Sequence, residues 1–251
     1  MRRNTLHRMG LAGMATAAAA FALSLLGGAP AFGGAAPGTG IVGSKHDMLL
    51  YTAANGGVVD PHGRVCAYCH TPHHAVDDPN ADYMPLWSRQ VTQEPVFIEY
   101  SSPTLDAVIT DPVAGPSRLC MSCHDGAVAI DAYYGSNGTA TLTEGDAFGE
   151  IGIGLNGDLS NDHPIGFDYP SVALADPEIK DASSVFIENA VGTTIADVLW
   201  DDGSGNQLMT CATCHDVHNG PSTATSGTDP GGWFLYAPQN NAKICLSCHD
   251  K

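Results

Sequence analysis

Apolar and polar positions alternate in few long periodic stretches along this chain. The longest apolar run is the Ala-rich stretch Met9–Leu26, preceded by Arg2, Arg3 and Arg8 and followed by Ala29-Pro30-Ala31. A basic start, an apolar middle and a small-residue A-x-A site predict a cleaved secretory signal peptide over residues 1–31. The run is close to the minimum that spans a bilayer, so an uncleaved anchor is the competing reading. Its Ala/Gly content and the small-residue site favour cleavage, with no membrane span left afterwards. Beyond the leader, a helix is expected over 186–200 (FIENAVGTTIADVLW). Residues 135–160 are Gly-rich and acidic, which predicts a loop or short hairpin.

Composition sharpens that picture. The 251 residues include 29 Gly and 16 Pro, a load that breaks regular elements and leaves much of the chain irregular. Asp and Glu number 27 against 10 Lys and Arg, for a formal charge of −17. Loss of the leader removes three Arg and no acid, which deepens the charge to −20. Such a chain is a poor partner for nucleic acid or an anionic membrane surface, both of which require clustered basic residues.

The cysteines decide the chemistry. All eight fall in four pairs of one spacing, each followed at once by histidine: Cys66-Ala67-Tyr68-Cys69-His70, Cys120-Met121-Ser122-Cys123-His124, Cys211-Ala212-Thr213-Cys214-His215 and Cys245-Leu246-Ser247-Cys248-His249. C-x-x-C-H is the attachment motif of c-type haem. Two thiols three residues apart on a helical turn reach the two vinyl groups of one porphyrin, and the next imidazole meets the iron. Zinc knuckles or disulfides in an exported chain would use the cysteines, but neither requires a histidine after every pair. Four covalently bound haem c groups are therefore expected, with His70, His124, His215 and His249 as proximal ligands and short helices at the motifs.

Each iron needs a sixth ligand unless it is an open site. Of the remaining histidines, His7 leaves with the leader. His73 and His218 each follow a proximal histidine by three residues, too close to reach the far face of their own haem but able to reach a neighbour's. His46 and His163 each lie upstream of such a block, beside Asp47 and Asp162, and an Asp can orient an imidazole through its second nitrogen. These four are the expected distal ligands. His74 could exchange roles with His73. His62, in Asp60-Pro61-His62-Gly63, reads as a surface turn. Met48, Met84 and Met209 read as packing residues. Leu86, Trp87, Trp233, Phe234 and Tyr236 are expected to line the porphyrins, and Asp201–Asn206 reads as an acidic turn rather than a calcium loop.

The ligands form an internal repeat. His46, C-x-x-C-H-x-x-H at 66–73 and C-x-S-C-H-D at 120–125 recur as His163, the same block at 211–218 and C-x-S-C-H-D at 245–250. Residues 32–134 are thus expected to form an N-terminal dihaem half with an N-terminal arm, 135–160 a linker, and 161–251 a C-terminal dihaem half.

These motifs resemble the doubled-CxxCH multihaem cytochromes. The series GSKHD, CHTPH, PLWSR, YSSPTLD, LCMSCHDGAVA, NDHPIGFDY and CHDVHN is similar to the tetrahaem subunits of extracellular cytochrome filaments. The resemblance implies a multihaem cytochrome c fold of mostly coil with short α-helices and minor β. It implies a stack of haems with two histidines each, one of them supplied by the adjacent subunit. In this chain that role falls most naturally to His46, in the arm PGTGIVGSKHD. The expected function is electron transfer rather than enzymatic catalysis: an exported, extracellular or cell-surface polymer of this chain that passes electrons to redox proteins or extracellular acceptors. A monomeric periplasmic shuttle is the first alternative. A multihaem oxidoreductase with one open haem is the second, disfavoured by the full supply of eight histidines.

Overall fold

Helix α1 (Met48–Asn55) begins where the Asp47 carboxylate accepts the Leu50 amide and ends at Gly56, whose φ of 75° is left-handed. This capping fixes both ends of a helix only eight residues long. The structure is a computed structural model that describes residues 40–250 apart from 80, 92–95, 126–129, 137, 139–152, 155–156, 187–192, 219–233 and 238. The predicted leader, most of the 135–160 linker and Trp233 lie outside the described residues.

Four further helices follow: α2 (Pro116–His124), α3 (Tyr169–Ala175), α4 (Cys211–Cys214) and α5 (Lys243–Cys248). A two-residue antiparallel ladder pairs β1 (Trp200–Asp201) with β2 (Gln207–Leu208), in the register Trp200 to Leu208. The acidic turn between them closes on itself, because Asp202 accepts the Ser204 and Asn206 amides at 2.7 and 3.1 Å. The helix expected over 186–200 does not form as one element. Among its described residues, Ile195–Val198 is a single 3-10 turn and Trp200 already belongs to β1. A capping box stops the turn from extending toward its N-terminus: Thr194 and Asp197 satisfy each other's backbone and side-chain groups.

Helix α2 has the most demanding N-terminus. Gly115 takes a φ of 56° before Pro116, and a Cβ there would run into the Trp200 ring. The last turn is held by the buried Arg89, whose guanidinium donates to the carbonyls of Ser122 at 3.1 Å and Ile130 at 3.0 Å. An arginine fork suits two orphan carbonyls inside the protein.

The apolar interior is divided. Phe167, Tyr169, Phe186, Ile195, Met209 and Ala237 form one cluster, and Met48, Ala67, Tyr68 and Tyr133 a second. Phe97, Val113, Met121 and Leu159 form a third, and Trp87, Val91 and Leu119 a fourth. Met48 and Met209 sit inside these clusters, the packing role expected of them. The described residues nonetheless associate as one compact unit. No helix among the described residues is long and apolar enough to cross a membrane.

A polar network flanks the second cluster. Asp60 is buried, takes Arg64 at 2.6 Å and accepts from the Tyr133 hydroxyl at 3.2 Å. Hydrogen bonding from Arg64 holds the Asp60 carboxyl well below the usual carboxylate range. A depressed carboxyl contributes stability above its unfolded pKa, about 3.9, and loses that contribution as pH falls toward its folded value. Asp60→Asn should therefore lower the melting midpoint near neutrality and flatten its fall below about pH 4. Circular-dichroism melts of both proteins from neutral to strongly acid pH check this.

Candidate haem sites

Each C-x-x-C-H motif folds into one tight turn that closes on its own histidine. The amides of His70, His215 and His249 donate to the carbonyls of Cys66, Cys211 and Cys245 at 2.8, 3.1 and 2.9 Å. This i to i−4 closure brings the two thiols onto one face and the imidazole beside them. The second motif lies wholly within α2, the third spans α4 and the fourth ends α5. The first motif departs from the expected α-helix: Val65–Tyr68 is a 3-10 turn. Its Tyr68 side chain is fully buried, and the hydroxyl accepts the Asp60 amide at 2.8 Å, which draws the turn tight.

None of the eight cysteines forms a disulfide. Among the described residues, no three His, Cys, Asp or Glu side chains converge as a bare metal ion requires. The four motifs instead abut in sequence order. Burial pushes the Cys69 thiol up to about 12, and neighbouring Cys123 adds to the effect. Cys120 shares a hydrogen bond with Cys211. Burial likewise raises the Cys214 thiol to about 12, with Cys248 beside it. The outermost thiols, Cys66 and Cys245, belong to exposed residues.

The histidine rings meet in pairs. His46 lies 6.2 Å from His124 between ring centres, with planes crossed at 81°. His70 lies 6.0 Å from His218 at 30°, and His163 lies 6.4 Å from His249 at 74°. Every pair joins a motif histidine to one of the predicted distal histidines. A metal–imidazole bond is about 2.0 Å, and the ring centre lies about 1.1 Å beyond the nitrogen. Two imidazoles on opposite sides of one iron thus have centres about 6.2 Å apart, so these residues fit a bis-histidine haem.

Two further observations agree with that fit. Burial, with His124, His215 and His218 nearby, lowers the His46 pKa to about 4; the ring is neutral near pH 7, the form that donates a lone pair to iron. The Trp87 indole N–H is buried without a hydrogen-bond partner, and its ring lies 5.5 Å from His70. A donor left open beside a ligand suits a propionate.

The sequence expectation placed His46 in a free arm reaching toward a neighbour. In the structure the arm is tied down: Gly40 donates to the His218 carbonyl at 2.9 Å, Gly43 to Asp47 at 2.8 Å and His46 to the Ser44 hydroxyl at 3.0 Å. His46 consequently meets His124 of its own chain. His73 is exposed. His74, with a φ of 64°, turns instead against Tyr134, 4.9 Å away, whose ring also carries Arg64. His62 occupies the exposed turn expected of it.

One feature was invisible in the sequence motifs. After each C-x-x-C-H-x-x-H block, a downstream segment returns to pair with it in the same register. Thr71 donates to Leu86 and Ser88 to Cys69, at 2.8 and 2.9 Å; Asp216 donates to Phe234 and Tyr236 to Cys214, at 2.7 and 3.0 Å. His70 bridges Trp87 and His215 bridges Leu235. Leu86 and Phe234 therefore occupy equivalent places, and both have left-handed backbones, φ 54° and 58°. Phe234 stacks face to face on His46 at 4.6 Å and 6°, whereas Tyr236 turns inward against Phe186. Shared positive φ at two bulky residues is the signal that this repeat extends beyond the motifs. No family model matches the chain, and no curated protein matches it by sequence.

Proposed function

We propose that this chain is an exported tetrahaem c-type cytochrome that conducts electrons and polymerises with copies of itself outside the cell. The observation that carries this reading is the set of three histidine ring pairs, spaced as two imidazoles on one iron are spaced. Four haems, when bound, supply one-electron iron chemistry. The cysteines would anchor them, and the three histidine pairs would hold three of the irons from both faces, which favours electron passage over binding of a substrate. The abutting thiols of successive motifs support a continuous path from the first motif to the fourth.

Polymerisation follows from the internal repeat. Within the chain, His218 of the C-terminal half reaches His70 of the N-terminal half. His73 is the repeat equivalent of His218, and His215 that of His70. The same relation, carried from one copy to the next, would bring His73 of one copy to the haem held beside His215 of another. An iron–histidine bond of this kind is short-ranged and holds despite repulsion between strongly acidic subunits. A reductive titration of the exported protein tests the conducting role. It should take up four electrons per chain; uptake of none would reject the proposal.

A further inference from the structure

The register that makes Leu86 and Phe234 equivalent runs on along both segments. Trp87 and Leu235 bridge His70 and His215, and the amides of Ser88 and Tyr236 donate to the carbonyls of Cys69 and Cys214 at 2.9 and 3.0 Å. The next equivalent places hold Arg89 and Ala237. Both are buried, at 2% and 0% exposure. A guanidinium inside the N-terminal half thus has a methyl group as its counterpart in the C-terminal half. Arginine keeps its charge when buried, so the two halves differ by one interior cation at this place.

Arg89 lies against two C-x-x-C-H motifs at once. The preceding residue clamps the first motif, since Ser88 also donates its hydroxyl to the Ala67 carbonyl at 2.7 Å. The Arg89 guanidinium reaches into the second motif, donating at 3.1 Å to the carbonyl of Ser122, between Cys120 and Cys123. It also hydrogen-bonds the Cys123 thiol, and its field reaches Cys69. The nearby charges reinforce the asymmetry. Buried Asp125 follows the second motif, but Asp250 follows the fourth in the same way. Thr71 follows the first motif where Asp216 follows the third. Arg64 and Arg118 are matched by Asp60 and Asp111. In the C-terminal half, Lys180 donates to Leu246 of the fourth motif at 2.6 Å, and the additional acid at Asp216 offsets it.

We propose that the fixed charge of Arg89 holds the haems of the first and second motifs at higher reduction potentials than those of the third and fourth, so that electrons collect in the N-terminal half. Reduction adds one electron to a ferric iron and makes it ferrous, with no bond broken. The haem becomes one charge more negative, and a cation beside it favours that state. A buried cation is weakly screened by salt, which lets one residue act on two sites. This inference rests on the reading of the four motifs as haem sites.

Potentiometric titration of the exported, haem-loaded protein, followed by electron paramagnetic resonance, tests it. The haem between His70 and His218 is marked by rings at 30°, and the one between His46 and His124 by rings crossed at 81°. Arg89→Gln keeps an amide donor for one carbonyl and removes the charge. It should shift the one-electron equilibrium of both haems toward ferric by at least tenfold, or about 59 mV each, and leave the other two nearly unmoved. Arg89→Lys keeps the charge but loses the fork, and should retain most of the wild-type potential at both haems. A purely structural role would move the Gln and Lys variants alike. Unchanged midpoints in Arg89→Gln, or equal shifts in the two variants, would overturn the inference. If Arg89→Gln does not load four haems, the wild type decides: the rhombic signal of the His70–His218 haem must be among the first two lost on reduction, and its loss after them overturns the inference. Four attached haems with that order reversed refute the role of Arg89 and leave the electron carrier intact; a wild type without haem refutes the underlying reading.

Discussion

His218→Ala is expected to leave all four haems attached and to convert one of them from low-spin to high-spin. In the proposed holoprotein the cysteines would hold the haem covalently, so loss of a distal ligand removes a bond to iron and not the cofactor. The affected iron should be the one at His70, whose ring lies 6.0 Å from His218. The change also removes a bracket between the two halves of the chain, because His70 and His218 come from different halves. Electron paramagnetic resonance of the ferric protein reads the result directly. The His70–His218 planes lie at 30°, whereas the other two pairs cross at 81° and 74°. Near-perpendicular planes give a more anisotropic low-spin signal than near-parallel ones, so the more conventional rhombic signal is the one that should disappear. Loss of a highly anisotropic signal instead would show that the pairing is different.

The second large effect separates His73 from His46. His73→Ala should abolish polymers and leave the spectrum of the monomer unchanged, because its ring is proposed to ligate across copies. His46→Ala should add a high-spin haem to the monomer itself, because His46 faces His124 of the same chain. His74→Ala should do neither, since that ring is held against Tyr134. Spectra and negative-stain microscopy of the three variants decide the matter. Filaments lost in His46→Ala, with an unchanged monomer spectrum, would return the intermolecular role to His46.

The proposed site is legible in the sequence because the motif that suggests covalent haem is contiguous. Cysteine spacing, the following histidine and the order of upstream histidines are all local features. What the sequence did not show depends on contacts between distant segments. The sequence puts His46 in an N-terminal arm, PGTGIVGSKHD, yet backbone hydrogen bonds to His218 and the Asp47 carboxylate tie the described part of that arm down. The ladders at Leu86 and Phe234 were hidden because the two segments, PLWS and FLY, share backbone conformation rather than residue type. The helix expected over 186–200 was an error of the same kind. The Thr194–Asp197 capping box restarts the chain inside it. Division of the core of the described residues into four clusters also has no local signature.

The most direct measurement is the intact mass of the exported protein, taken under denaturing conditions that strip any non-covalent cofactor. The account predicts residues 32–251 carrying four haem masses, one on each pair Cys66/Cys69, Cys120/Cys123, Cys211/Cys214 and Cys245/Cys248. A mass equal to the bare polypeptide, or one lower by the hydrogens lost to four disulfides, would contradict it.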